Sequence, residues 1–211
     1  MGRRSDHSRS ELHEMVLSVA RDIAEQEGLA GLSVRRIANE IGYSGGTLYN
    51  LFESLDDLVV HVNARTLDSL CEELAEKSLE EEPEAAVLAL TKRYVRFTRE
   101  HPRLWSMLFE HRLPDGAALP DWYHERVERA RGLLEEALAP MFGPDHEAER
   151  SHSARVLWSS LHGICALETA GKLANTESVE AMSATLISYY LGGLRQSGPK
   201  SDPSVDTTQD V

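Results

Sequence analysis

The chain is 211 residues long and carries 35 acidic against 22 basic residues, a formal net charge of −13. That length allows one or two domains with a sizeable buried core, and the excess acidity excludes a protein whose whole surface is built to hold a polyanion. No apolar run nears the ~20 residues that cross a bilayer, the amino terminus is too polar for a secretory leader, and Cys71 and Cys165 lie too far apart for a metal knuckle or a disulfide framework, so a cytoplasmic protein without a membrane partner is expected.

In chain order, apolar Leu12, Val16, Val19, Ala20 and Ile23 predict a helix from about Ser8 to Glu27. Val34, Ile37, Ala38 and Ile41 give a second stripe at i, i+3, i+4 and i+7, with Ser33 placed as its N-cap. Gly42 stands where a left-handed residue ends a helix sharply. After the Gly42-Tyr43 turn, Ser44 caps a further helix whose Leu48, Leu51 and Phe52 lock onto the preceding one. Two short helices around a glycine-containing turn describe a helix-turn-helix over residues 33–52, and they equally describe a plain hairpin in a helical bundle.

The residues left facing outward are small, hydroxylated or amide-bearing: Gly45, Gly46, Thr47, Tyr49 and Asn50. With the two cap hydroxyls of Ser33 and Ser44 and the cations Arg35 and Arg36, they make a face suited to phosphates and base edges of duplex DNA. The first 53 residues hold six arginines against eight acids, a balance of −2, which leaves −11 on the remainder. DNA contact must therefore be locally organised, using Arg35, Arg36 and an arm with Arg3, Arg4 and Arg9.

The runs Leu32-Ser33-Val34-Arg35-Arg36-Ile37-Ala38, Ile41-Gly42-Tyr43-Ser44 and Gly46-Thr47-Leu48-Tyr49-Asn50-Leu51-Phe52, with the helix upstream and Ser54-Leu55-Asp56-Asp57-Leu58 downstream, closely resemble the amino-terminal domain of TetR-type transcriptional regulators. The resemblance covers roughly the first 60 residues. It implies a three-helix DNA-binding domain over residues 8–55 followed by a regulatory and dimerisation domain over 56–196. Leu55 departs from the family pattern, which usually has a lysine there, and so removes one phosphate contact.

The rest of the chain shows helical patterns and no strand alternation, so an all-α fold of about nine helices is expected. A long fourth helix spans about Asp56 to Leu79, and an acidic run from Glu80 to Glu82 marks its end. The next runs from Pro83 to about Glu100 and stops at His101-Pro102. A short aromatic helix with Leu104, Trp105, Leu108 and Phe109 precedes a loop from Leu113 to Pro120. Further helices are expected over Asp121 to Phe142, Glu147 to Gly171 and Thr176 to Arg195, before a disordered tail over 197–211.

Trp158-Ser159-Ser160-Leu161-His162-Gly163 resembles the tryptophan-histidine-glycine signature of one TetR subgroup. Helical spacing places Trp158, Leu161, His162 and Cys165 on one inward face, where His162 is either a hydrogen-bonded core residue or a ligand contact. The resemblance implies that the last two helices pair with their copies in a homodimer. Small residues such as Ser159, Gly163, Ala181, Ala184 and Ser188, with apolar Leu157, Leu167, Ile187, Tyr190 and Leu191, agree with that or with a monomer's own core. A twofold dimer would read a palindromic operator.

The resemblance further implies a repressor released from DNA by a small molecule. Trp105, Phe109, Trp122, Tyr123, Trp158, His162 and Cys165, with Glu168 as a polar anchor, are the candidate lining for an apolar effector. The competing class is a metal-dependent helical-bundle enzyme, which needs an inward Glu-x-x-His pair on each of two helices. Only Asp121-Trp122-Tyr123-His124 comes near that pattern, with Asp145, His146 and His152 loosely clustered, so no catalytic residue, metal or cofactor is expected. A redox sensor built on either cysteine lacks nearby cations at helical spacing.

Overall fold

The computed structural model describes residues 7–76, 82–174 and 176–196, and all regular structure among them is helical. The nine helices are α1 (Arg9–Glu27), α2 (Val34–Ile41), α3 (Gly45–Tyr49), α4 (Leu55–Leu74), α5 (Pro83–Glu100), α6 (Pro102–Glu110), α7 (Asp121–Leu138), α8 (Glu147–Thr169) and α9 (Val179–Gln196). Arg3, Arg4, most of the acidic run and the tail from residue 197 lie outside the described residues.

Capping chemistry explains most boundaries. Ser8 opens α1 with a reciprocal box: its hydroxyl accepts from the Glu11 amide, and the Glu11 carboxylate accepts from the Ser8 amide. Ser33, Ser44 and Ser54 each accept a bond from the amide three residues on, starting α2, α3 and α4. Gly42 ends α2 at φ 74°, ψ 27°, a left-handed conformation that a β-carbon disfavours.

Four boundaries differ from the periodic reading. α3 stops at Tyr49, yet Leu51 and Phe52 still pack inward, the Phe52 amide bonding the Leu48 carbonyl at 2.9 Å. α4 ends at Leu74 rather than running to residue 79, and Ala75 caps it. α7 ends at Leu138 and passes into a 3₁₀ turn over Ala139–Met141, because Pro140 supplies no amide and restrains the residue before it. α9 starts at Val179, where the Ser178 hydroxyl accepts from the Ala181 amide at 3.1 Å.

Two large cores result. The head core joins Val16, Ala20, Ile23, Ile37, Leu48 and Phe52 to Leu58, Val59 and Val62 of α4 and to Leu104 and Met107 of α6. The body core gathers Leu70, Leu74, Val87, Tyr94, Phe97 and Trp105 with Leu134, Leu157, Cys165, Ile187 and Leu191. A smaller cluster of Val60, Ala64, Leu67 and Tyr123 ties α4 to α7. α4 contributes to all three clusters, so the head cannot move relative to the body without repacking this helix.

Candidate functional site

The α2–α3 pair is held from beneath by Ile37 and Leu48, both almost fully buried, and separated by the three residues Gly42, Tyr43 and Ser44. On its outer side Ser33, Arg35, Ser44, Gly46, Tyr49 and Asn50 are exposed, while Arg36, Gly45 and Thr47 are half-buried. Tyr49 is 57% exposed, an uncommon place for a large ring in a folded head. A β-carbon on Gly45 would only touch Val34 at 3.4 Å, and one on Gly46 would lie 3.7 Å from the Ser44 hydroxyl. The protein itself therefore gives little reason for two glycines in a five-residue helix, where each costs about 1 kcal/mol relative to alanine.

The expected residues are not equally available. The Arg36 guanidinium forms a two-pronged pair with Glu27 at 2.5 and 2.6 Å, which holds the Glu27 carboxyl below its usual range. Arg35 is exposed and forms no ion pair among the described residues. Contacts from the start of the chain, absent from the sequence reading, brace the same face: Arg9 donates to the Asn50 carbonyl at 3.2 Å, and the His7 Nδ1 lies 2.8 Å from the Tyr43 hydroxyl. These pairs join residues 36 to 41 positions apart, a separation that no local pattern signals.

The candidate effector residues fall in four places. Trp105, Phe109, Trp158 and His162 share one aromatic cluster with Tyr94, whose ring centroids lie 3.8 to 6.4 Å apart. Trp105 donates to the Tyr94 hydroxyl at 3.0 Å, and that hydroxyl meets His162 Nδ1 at 3.4 Å. Burial lowers the pKa of His162, which disfavours its charged form, and likewise raises Tyr94 above the usual phenol range. Cys165 is buried in the body core, its thiol pushed up to about 11 by burial.

The other three go elsewhere. Trp122 stacks on His61 at 4.8 Å under the Arg126 guanidinium, in a groove of about 420 Å³ between head and body. Tyr123 lines a cavity of about 320 Å³ covered by the loop after α6, together with Asn63 and His111. Asn63 is buried there, its amide nitrogen donating to the Met107 carbonyl at 3.4 Å while its Oδ1 has no partner among the described residues. Glu168 is on the surface, bound by Arg99 at 2.7 Å.

The folded chain also does what linear spacing did not anticipate for Cys71. Arg129 of α7 comes close by, donating to Asp68 at 2.7 Å, and Cys71 and Asp68 together hold that guanidinium above its usual range. Both cysteines are free and buried. Among the described residues no group of three or more His, Cys, Asp or Glu side chains could hold a metal ion, and no helix is long and apolar enough to cross a membrane.

Comparison with known proteins places this geometry. Residues 16–62 match the family model for bacterial regulatory proteins of the tetR family, and residues 87–190 match that for the tetracyclin repressor-like C-terminal domain. The chain is 27% identical to an uncharacterized HTH-type transcriptional regulator of Mycobacterium tuberculosis, over 87% of this chain and 81% of that protein. It is 25% identical to another from Bacillus subtilis, over 86% of this chain and 91% of that one. In fold it is similar to a TetR transcriptional regulator from Rhodococcus, with a TM-score of 0.65, 18% identity and coverage of 87% and 98%. A Rhodococcus protein of unknown function superposes with a TM-score of 0.70, 22% identity and coverage of 91% and 98%. With both its head and its body matched to that one family, the chain belongs to the TetR family of helix-turn-helix, DNA-binding transcriptional regulators.

Proposed function

We propose that this regulator is a repressor that binds an inverted-repeat operator as a homodimer and leaves it when a small molecule occupies the body. The observation that carries the DNA reading is the α2–α3 face: an exposed Tyr49 and Asn50, an uncommitted Arg35, and two glycines with no steric need inside the protein. Small residues there let the backbone approach the duplex closely, and Arg35 supplies a phosphate contact. Ser33, Ser44 and Thr47 add hydroxyl donors along the same edge, and Arg36 joins them when a phosphate replaces Glu27.

The dimer reading rests on the outer surface of α8 and α9. Leu167 is 43% and Tyr189 79% exposed, and Ser159, Gly163, Ala181 and Ser188 leave room for a second pair of helices. Leu157, Ser183, Ile187 and Leu191 belong to this chain's own core instead, since all are buried within it. The Trp158, His162 and Gly163 signature supports assignment to the corresponding TetR subgroup.

Selection of bound DNA from a random pool tests the proposal. Enrichment of an inverted repeat with half-sites about one helical turn or more apart is expected. Enrichment of single half-sites, or a monomer by light scattering at micromolar concentration, overturns the dimeric reading.

A further inference from the structure

Four rings from four parts of the chain run in contact from the α2–α3 pair to the body. Phe52, which follows α3 and is 3% exposed, stacks on His13 of α1 with ring centroids 4.8 Å apart, and both meet His61 of α4 edge-on at 5.6 Å. His61 in turn stacks on Trp122 of α7 at 4.8 Å. Ring pairs at such spacings attract one another beyond the apolar area they bury. α3 has only five residues, two of them glycine, so it cannot hold its own shape and depends on what seats it. Leu48 seats it from beneath, and Phe52, whose amide bonds the Leu48 carbonyl at 2.9 Å, fixes its far end.

Two of the four rings can take a proton. The charged groups around them come from α1, α4 and α7 and are balanced while both imidazoles are neutral. Glu14 lies 3.8 Å from His13 and is bound by Arg65, Asp57 lies 3.7 Å from His61, and Asp68 is bound by Arg126 and Arg129. Three carboxylates thus face three arginines, and a proton on either histidine leaves a net positive charge. Two imidazolium rings 5.6 Å apart repel each other as well. Burial above all, then His13, Arg126 and Arg65, hold the His61 pKa below its usual value against the pull of Asp57. The Arg126 guanidinium already sits 5.3 Å from the centre of the Trp122 ring, so part of what that ring offers a cation is taken.

We propose that His13 and His61 are positioning residues for DNA binding: as neutral rings they seat Phe52 and the end of α3, and when protonated they part, release that seat and lower operator affinity in acid, a role that rests on the α2–α3 face being the DNA surface. A charged His61 is drawn toward Asp57, on the preceding turn of its own helix, and away from Phe52 and Trp122. The direction runs against the general electrostatic effect. Acidification adds positive charge to a chain of net −13, which strengthens its attraction to DNA phosphates. A fall in operator affinity therefore singles out the ring column.

Fluorescence anisotropy of the full-length protein on a selected operator, at fixed ionic strength from about pH 7.5 to about pH 5.5, tests this role, with an unrelated duplex in parallel. Operator affinity should fall about tenfold across the range, while binding to the unrelated duplex holds or rises. His13→Phe combined with His61→Phe keeps the rings and removes the protons, so this protein should bind as wild type does at the upper pH and lose the acid response. His61→Gln, which can neither charge nor stack, should bind several-fold more weakly at the upper pH and give a flatter profile. Wild-type affinity that is flat or rises in acid overturns the role of the column, as does a fall that follows loss of the helical circular dichroism signal. A fall that survives in the phenylalanine pair overturns it too; should that pair not fold, a His61→Gln profile as steep as wild type does the same. No operator bound at the upper pH overturns the DNA reading itself, and the role of the column with it.

Discussion

The head and the body of this protein are built from contacts of different reach. In the head, α1, α2 and α3 are consecutive, their caps lie within three residues of the amides they satisfy, and the HTH core residues recur at i, i+3 and i+4. In the body, α5 packs on α9 and α4 on α7, so helices tens of residues apart meet. Local contacts of the first kind are visible in a linear pattern, whereas contacts of the second kind exist only once the chain has closed on itself. Under the proposed release by a small molecule, the difference also bears on function: the head holds one fixed surface while the body has more than one arrangement available.

The sharpest way to break this comparison is to empty the head core. Leu48→Ala removes a buried side chain that clamps α3 on α2 and should cost about 2–5 kcal/mol. DNA binding should be lost while the protein remains dimeric by light scattering; loss of both together would show that head and body fold as one inseparable unit. Smaller, and confined to the interface, Arg35→Ala should weaken operator binding by about 1–2 kcal/mol without altering stability. It should also reduce the slope of affinity against salt by about one, measured by fluorescence anisotropy over a salt series.

Gly42→Ala tests whether the turn is as locally determined as its geometry suggests. With φ at 74° the added β-carbon meets no neighbour, so the cost is conformational, about 1 kcal/mol in urea unfolding. A pH series probes the joint between the two regions. Burial lowers the pKa of His61, which faces His13, Asp57, Arg65, Arg126 and the rings of Phe52 and Trp122. The unfolded chain therefore takes up a proton near its ordinary value of 6.5 that the folded chain resists. Stability is full above that pH and falls as pH drops below it. Melting temperatures between pH 7.5 and 5.5 should show this fall, and His61→Gln should reduce it; an unchanged pH dependence would remove His61 from the joint.

The smallest expected effect is the one most specific to the folded structure. Glu27→Gln removes an anion beside the proposed DNA face and releases Arg36, so operator affinity should rise modestly at low salt, while stability stays nearly unchanged for so exposed and screened a pair. A fall in affinity would mean that the pair positions α2 rather than masking a cation.

The sequence was most legible where the physics is short-ranged. Serine caps, the left-handed Gly42, the apolar stripes of α1 and α2, and the stops at His101-Pro102 all act within one helical turn, and each stands where its chemistry predicts. The tryptophans of the body were legible as members of apolar stripes and no further, and Phe109, expected beside them, is 48% exposed. Trp105 and Trp122 look alike in a helical stripe, yet one closes the body core and the other stacks on His61 at the joint. Pro140 was the local signal that the reading of α7 passed over.

By itself the sequence determined an all-α fold and two short helices around the Gly42 turn, with Ser33, Arg35, Ser44, Gly46, Tyr49 and Asn50 left exposed on them, because periodicity and capping need only neighbours along the chain. Only the tertiary structure decided that Arg36 is taken by Glu27, that Arg129 pairs with Asp68, and that Ser183 stands unpaired in a cavity between α5 and α9. Those outcomes depend on which distant helices meet and at what rotation. Packing of whole faces sets that rotation, and no single stretch of residues encodes it.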